Sequence, residues 1–308
     1  MRIDPAGRVV RSTTIPHSET NRGTPIRTFL HTNDGVTIDS VYDPPAFVYE
    51  PAGPAPDASA PPSRDLAFVV AHGFTGDADR PHVRRVAEAF TQYGGVVTFS
   101  FRGHGASGGR STVGDREVLD LAAAVEWARS LGHARVVTVG FSMGGSVVLR
   151  HGALYRPEGT PEGAAGAADG SGREGRTEAH SDAVVSVSAP ARWYYRGTAP
   201  MRRVHWLITR PEGRLVGRYG LRTRIHHRDW NPVPLSPVEA VPRIAPTPLL
   251  IVHGDRDGYF PLDHPRMLAD AAGDHGELWL EPGMGHAENA APDELLRRIG
   301  DWAVGQGG

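Results

Sequence analysis

Gly140-Phe141-Ser142-Met143-Gly144 lies between a β-rich apolar run, Arg135-Val136-Val137-Thr138-Val139, and a helix-compatible run, Gly145-Ser146-Val147-Val148-Leu149-Arg150. A serine held on a sharp strand-to-helix turn projects its hydroxyl out of the backbone, where a base can reach it. The chain folds back that tightly only if the residues two before and two after lack a side chain, and both are Gly. The N–H groups that open the following helix face the same space and favour developing negative charge. One pentapeptide thus supplies a candidate nucleophile, Ser142, and half of an oxyanion site. Gly105-Ala106-Ser107-Gly108-Gly109 fits the same letters. There the serine lies several residues beyond its strand and no helical pattern resumes until about Asp115, so Ser107 reads as a loop residue.

Upstream, Leu66-Ala67-Phe68-Val69-Val70-Ala71 is a continuous apolar run, as expected of a strand buried on both faces, and it ends in His72-Gly73-Phe74-Thr75-Gly76. The spacing of Val83, Val86, Ala87 and Phe90 predicts a helix from about Pro81, with Asp79 as its cap. Val96 to Phe101 reads as the next strand, and Glu117 to Leu131 as a helix. Ile26–His31 and Val36–Tyr42 read as a hairpin turning at Asn33-Asp34-Gly35. Downstream, Ala183–Ser188, Pro248–His253 and Glu277–Leu280 read as further strands, with a helix before the last and another closing the chain from Pro292. Strands alternating with helices imply an α/β fold, with a mostly parallel sheet covered on both faces.

The domain organisation expected is a loosely held arm over 1–25 and a core over 26–189 and 248–308. A low-complexity, disordered insertion is expected at 157–182 and a cap at 190–247, between the sixth and seventh strands. Pro44 to Ser63, rich in Pro and Ala, is expected to be an exposed loop.

Composition excludes several chemistries. The 308 residues carry a net charge of −2 and contain no Cys, so disulfides, thiolate catalysis and Cys-ligated metals are ruled out. All 33 basic residues are Arg, which rules out Schiff-base chemistry and a P-loop lysine. Nothing in the charge suggests a nucleic-acid partner. The first residues lack a signal peptide's apolar stretch and no run is long enough to span a membrane, so a cytoplasmic protein without stable membrane insertion is expected.

A serine hydroxyl needs a base. The candidate is His286, in Gly283-Met284-Gly285-His286-Ala287-Glu288, just after the last strand. The base in turn needs an acid to orient it, and Asp255 and Asp257 compete in His253-Gly254-Asp255-Arg256-Asp257-Gly258. All three groups follow strands, so they project from one carboxyl edge of the sheet.

His72-Gly73-Phe74, Arg102-Gly103-His104-Gly105-Ala106-Ser107, Gly140-Phe141-Ser142-Met143-Gly144, Gly254-Asp255-Arg256-Asp257 and Gly285-His286 occur in this order over roughly residues 26–305. In this the chain resembles the α/β-hydrolase superfamily of serine hydrolases, in the branch of monoacylglycerol-lipase-like and serine-aminopeptidase-like proteins. The resemblance implies an eight-stranded sheet with a cap, and a catalytic triad of Ser142, Asp257 and His286. It implies oxyanion-hole N–H groups at Phe74 and Met143, structural or pocket-lining roles for His72 and His104, and no cofactor or metal. The family often has Asp two residues before the Arg of Arg102-Gly103-His104; here Ser100 stands there, at a position read as structural.

Gly103-His104-Gly105-Ala106-Ser107-Gly108 also spells a dinucleotide fingerprint, but its helix starts too late and no acidic residue ends the next strand. His226-His227 lack a second ligand cluster and read as solvated or cap-packing residues. Between Ala191 and Asp229, ten arginines face two acids, about +8 locally, and the expected cap 190–247 also holds Trp193, Tyr194, Tyr195, Trp206, Tyr219 and Trp230. That charge suits a solvated face or attraction of an anionic substrate or surface. The expected function is cleavage of a carboxylic ester on a small acyl substrate through an acyl-enzyme. Peptidase or amidase, thioesterase and acyltransferase use the same triad, and a non-catalytic ligand-binding protein on this frame is the alternative from another class. Oligomeric state is not legible.

Overall fold

The two faces of the central strands explain their unbroken apolar runs. In the computed structural model, which describes residues 21–47, 65–157 and 178–306, strand β3 (Leu66–Ala71) is buried at every position. Its side chains alternate: Leu66, Phe68 and Val70 enter one core and Ala67, Val69 and Ala71 the other. The sheet also contains β1 (Ile26–His31), β2 (Thr37–Asp43), β4 (Gly95–Phe99), β5 (Arg135–Phe141), β6 (Ala183–Val187), β7 (Leu249–Gly254) and β8 (Gly276–Glu281). Their order is β8-β7-β6-β5-β3-β4-β2-β1. Pairing is parallel from β8 through β4, and antiparallel where β2 joins β4 and β1. The fold is thus the eight-stranded, mostly parallel α/β sheet expected.

One face packs against α1 (Pro81–Phe90) and α9 (Asp293–Gly305), the other against α2 (Glu117–Ser130), α3 (Met143–Leu154) and α7 (Asp263–Ala272). Phe68 and Phe90 stack with centroids 4.6 Å apart, and truncating either to Ala costs about 3–5 kcal/mol by the usual cavity penalty. Between β6 and β7 lie α4 (Ala199–Thr209), α5 (Pro211–Gly220) and the short α6 (Pro237–Ala240). After β8 comes the one-turn α8 (Ala287–Ala290).

Three expectations need correction or limits. Asp79 does not cap α1: the cap position is Arg80, without a side-chain bond, and the Asp79 carboxylate instead accepts two hydrogen bonds from Arg27 at 2.9 Å each. Pro81 tolerates that uncapped start because it has no N–H to satisfy. The loop expected from Pro44 begins later, since Asn21–Arg22 and Ala46–Phe47 form a short antiparallel ladder and Pro45 and Ala46 are buried. Most of the 1–25 arm and of the 157–182 insertion lie outside the described residues.

Candidate active site

Ser142 joins β5 to α3 with φ 53° and ψ −112°, a left-handed conformation that a β-carbon disfavours. The turn closes because its flanks are bare. A Cβ on Gly140 would collide with the Gly144 carbonyl, and one on Gly144 with the Ala71 carbonyl. The Ser142 N–H is tied to Val187 O at 2.9 Å, which docks the elbow onto β6.

His286 comes from the loop after β8. Its Nε2 lies 2.9 Å from Ser142 Oγ and its Nδ1 lies 2.7 Å from Asp257 Oδ2. The loop is pinned next door, where the Ala287 N–H donates to Ser188 Oγ at 3.1 Å. Tyr259 stacks on the imidazole, centroids 4.2 Å apart, and Phe260 meets it edge-on at 5.6 Å.

Asp257, its side chain 1% exposed, accepts the N–H groups of Tyr259 and Phe260 through Oδ1 at 2.8 and 3.1 Å. Burial opposes its charge, but the His286 hydrogen bond and charge, with those two N–H groups, outweigh it and hold the carboxyl below the usual carboxylate range. Asp255, the competing carboxylate, points elsewhere: it accepts the Gly283 N–H at 2.6 Å, and Arg256 N–H bonds Met284 O at 3.0 Å, so together they tie the loops after β7 and β8. The structure therefore brings Ser142, His286 and Asp257 into one hydrogen-bonded chain and leaves Asp255 out.

The loop after β3 has almost every N–H occupied. Gly73 N–H donates to Glu288 Oε1 at 3.0 Å, Thr75 N–H to His104 Nε2 at 3.3 Å, and Gly76 N–H to Gly73 O at 3.0 Å. Among the described residues, the N–H groups of Phe74 and Met143 have no protein acceptor, and both residues line the cavity that contains Ser142. Two unspent donors beside a serine hydroxyl are the arrangement that holds an oxyanion.

His72 and His104 are fully buried supports. The His72 Nε2 accepts the Phe101 N–H at 3.0 Å while Nδ1 donates to Gly73 O at 2.7 Å, and burial pushes its pKa down to about 3. His104 donates through Nδ1 to Arg102 O at 3.1 Å, and burial pushes its pKa down to about 4. Ser100 Oγ accepts the Ala78 N–H at 3.0 Å, in keeping with a structural position. Ser107 is buried, its Oγ donating to Ser100 O at 2.5 Å and accepting the Asp39 N–H at 2.9 Å. Glu117, wholly buried, accepts the N–H groups of Thr112, Val113 and Gly114 at 2.8 to 3.1 Å and fixes that part of the cavity wall.

The cavity over Ser142 has a volume of about 1130 Å³. Its roof comes largely from 190–230, where Trp193 and Trp230 meet at 5.1 Å between centroids. Their indole N–H groups donate to Pro234 O and Thr112 O at 3.0 and 2.7 Å, which anchors the aromatic wall on both sides. Arg196, Arg203 and Arg228 also line it, and among the described residues none has a carboxylate partner. His226 lines the cavity and stacks on His227 at 5.1 Å. Sequence reasoning missed Glu288 and Tyr259. Glu288 sat at the end of a quoted motif and Tyr259 directly after one, but nothing in their spacing announced that one would reach back to Gly73 and the other cover the imidazole.

The profile of the alpha/beta hydrolase family matches residues 68–298. A monoacylglycerol lipase of Mycolicibacterium smegmatis is 28% identical over 259 residues, 77% of this chain and 87% of that protein. The esterase Pf2001 of Pyrococcus furiosus superposes with a TM-score of 0.63 at 21% identity, over 91% of this chain and 90% of that one. A putative aryl esterase from Burkholderia cenocepacia superposes with a TM-score of 0.59 at 18% identity, over 91% and 99% of the two chains. These structural likenesses carry the fold, and the profile match over most of the chain carries the family. The chain belongs to the alpha/beta hydrolase family.

Proposed function

We propose that the chain is a serine hydrolase that cleaves carboxylic esters through an acyl-enzyme. The observation that carries this reading is the unbroken chain Ser142 Oγ, His286 Nε2, His286 Nδ1, Asp257 Oδ2, with links of 2.9 and 2.7 Å, at the floor of a large aromatic-lined cavity. Ser142 attacks the ester carbonyl as its proton passes to His286 Nε2. The ionised Asp257 holds the Nδ1–H tautomer and stabilises the imidazolium. The Phe74 and Met143 N–H groups hold the tetrahedral oxyanion. Collapse expels the alcohol, which takes the proton from His286. Water, deprotonated by the same imidazole, then attacks the acyl-serine, and the acid leaves as Ser142 regains its proton.

An ester is favoured as the scissile group because a relative that covers 77% of this chain is named a monoacylglycerol lipase. A cavity of about 1130 Å³ with aromatic walls holds an acyl chain and an alcohol together. We read 190–247 as a cap over the core, because it supplies most of that roof. The test is Ser142→Ala with a short-chain nitrophenyl ester and a fluorophosphonate probe. Turnover and labelling both vanish while thermal stability is kept; persistent turnover would remove Ser142 from the mechanism.

A further inference from the structure

Four arginines converge in a second, smaller cavity of about 260 Å³ that shares no lining residue with the one over Ser142. Arg110 comes from the loop after β4, Arg214 and Arg218 from α5, and Arg224 from the segment that follows it. Leu215, Ile225 and His227 complete much of the wall, and no carboxylate lines it. Arg214 and Arg218 stand four residues apart and so share one face of their helix. The backbone holds Arg110 and Arg224 together from the other side. Ser111 N–H donates to Arg224 O, and Arg224 N–H to Gly103 O, at 2.7 Å each, while His226 N–H donates to Ser111 O at 2.8 Å.

These guanidinium groups differ from others in the protein that are held by carboxylates. Arg27, Arg84, Arg102 and Arg129 each meet an Asp at 2.5 to 2.9 Å. In the small cavity, Arg224 spends one nitrogen on Ser107 O, and Arg214 spends one on the carbonyls of Ile208 and Thr209 at 3.2 and 3.0 Å. Arg218 lies over the Tyr219 ring at 5.4 Å. Among the described residues, neither Arg110 nor Arg218 has a hydrogen-bond acceptor or an ion-pair partner. Burial pushes the Arg224 pKa below its ordinary value, and repulsion from Arg110 and Arg218 pushes it further. Like charges gathered by the backbone without a counter-charge repel, and an oxyanion offsets the repulsion.

We propose that this pocket binds the phosphate group of a phosphomonoester. Three terminal oxygens and a charge near −2 match several planar guanidinium forks better than a carboxylate does. The volume admits a phosphate with a small substituent. Two sources offer that chemistry. One is a soluble phosphoester. The other is a lipid headgroup, for which the exposed Leu215, Val216 and Tyr219 of α5 lie on the same helix.

The experiment is thermal unfolding of the full chain titrated with inorganic phosphate against chloride at constant ionic strength. A saturable rise in Tm is expected for the wild type and equally for Ser142→Ala, so the outcome is independent of the proposed ester chemistry. In the Arg110→Gln/Arg218→Gln double variant the half-saturating phosphate concentration rises by about tenfold or more. Both side chains are exposed, and among the described residues the one ring contact between them is that of Arg218 with the exposed Tyr219, so the variant folds and keeps its activity on a neutral ester. Flotation with vesicles of phosphatidic acid in phosphatidylcholine, but not phosphatidylcholine alone, and its loss in the double variant, assigns the headgroup. A phosphate response without flotation assigns a soluble phosphoester. A Tm response no greater than with chloride, or one undiminished in the double variant, overturns the site.

Discussion

Glu288 accepts the N–H of Gly73 at 3.0 Å, across 215 positions of sequence, with its carboxylate almost wholly buried. A Cβ on Gly73 would lie 3.2 Å from both carboxylate oxygens and 3.4 Å from the Ser142 Cβ, so loop, glutamate and serine are packed against one another. The carboxylate thereby sets the height of the strand-β3 loop, whose next N–H, that of Phe74, is the proposed oxyanion donor. The same segment carries His286 two residues earlier. One short stretch after β8 therefore positions both the proposed base and the proposed oxyanion loop.

Glu288→Ala is expected to lower kcat on a nitrophenyl ester by about 10- to 100-fold with little change in KM. The buried Gly73 N–H loses its acceptor, a penalty of about 1–3 kcal/mol that the loop relieves by moving. Glu288→Gln keeps an acceptor oxygen at the same place and recovers most of kcat. Steady-state kinetics on the two variants check this; an Ala variant with wild-type kcat would show that the loop holds its shape unaided.

The two candidate acids are told apart by substitution. Asp257→Asn should reduce kcat by about 10³- to 10⁴-fold, because an amide in place of the carboxylate favours the wrong imidazole tautomer. Asp255→Asn should leave kcat within a factor of a few, since the Asn carbonyl still accepts the Gly283 N–H. Equal losses in the two variants would contradict the assignment of Asp257.

The sheet, the elbow and the order of the three side chains were legible because each rests on local pattern. An apolar run such as Leu66–Ala71 or a pair of glycines such as Gly140 and Gly144 reports its own backbone requirement. What was not legible depends on distant partners. Asp79 reads as a helix cap on its own segment, yet Arg27, 52 positions away, takes its carboxylate. Ser107 reads as a loop residue, and nothing local shows that the loop folds back on β2 and buries it, its hydroxyl tying Asp39 to Ser100. α4 and α5 were obscured by Pro and Gly: the prolines mark the helix starts at Ala199-Pro200 and Pro211, and Gly213 and Gly217 lie buried inside α5 without breaking it.

Charge in the cavity over Ser142 has a kinetic signature. Arg192 is taken by Asp263 at 2.6 Å, but Arg196, Arg203 and Arg228 line the cavity without a carboxylate partner among the described residues. For an ester whose alcohol or acyl part bears a carboxylate, kcat/KM should fall severalfold as salt rises from about 0.02 to 0.5 M, since screening shortens the reach of those charges to a few ångströms. A neutral ester of the same size is the control and should not respond. Matching salt profiles for the two esters would mean the arginines are merely solvated.

Stability should depend on pH through four buried histidines. Burial pushes His72 and His151 down to about 3, and His104 and His264 down to about 4. Hydrogen bonds explain why three of them resist protonation: His72 Nε2, His104 Nε2 and His264 Nδ1 each accept a backbone N–H, from Phe101, Thr75 and Ala191. A proton on that nitrogen would displace the donor. Each folded-state value lies below the unfolded one, near 6.5, so the unfolded chain binds protons that the folded chain refuses. Stability from these groups is therefore complete above about pH 6.5 and is lost as pH falls from there towards the folded values. Each histidine steepens the loss by up to about 1.4 kcal/mol per pH unit. Guanidinium unfolding midpoints measured from pH 8 to 5 should be flat above about 6.5 and drop steeply below it. A midpoint that held steady down to pH 5 would mean that these imidazoles take up protons in the folded chain, and the support they give to the loops around Phe74 and Phe101 would have to come from elsewhere.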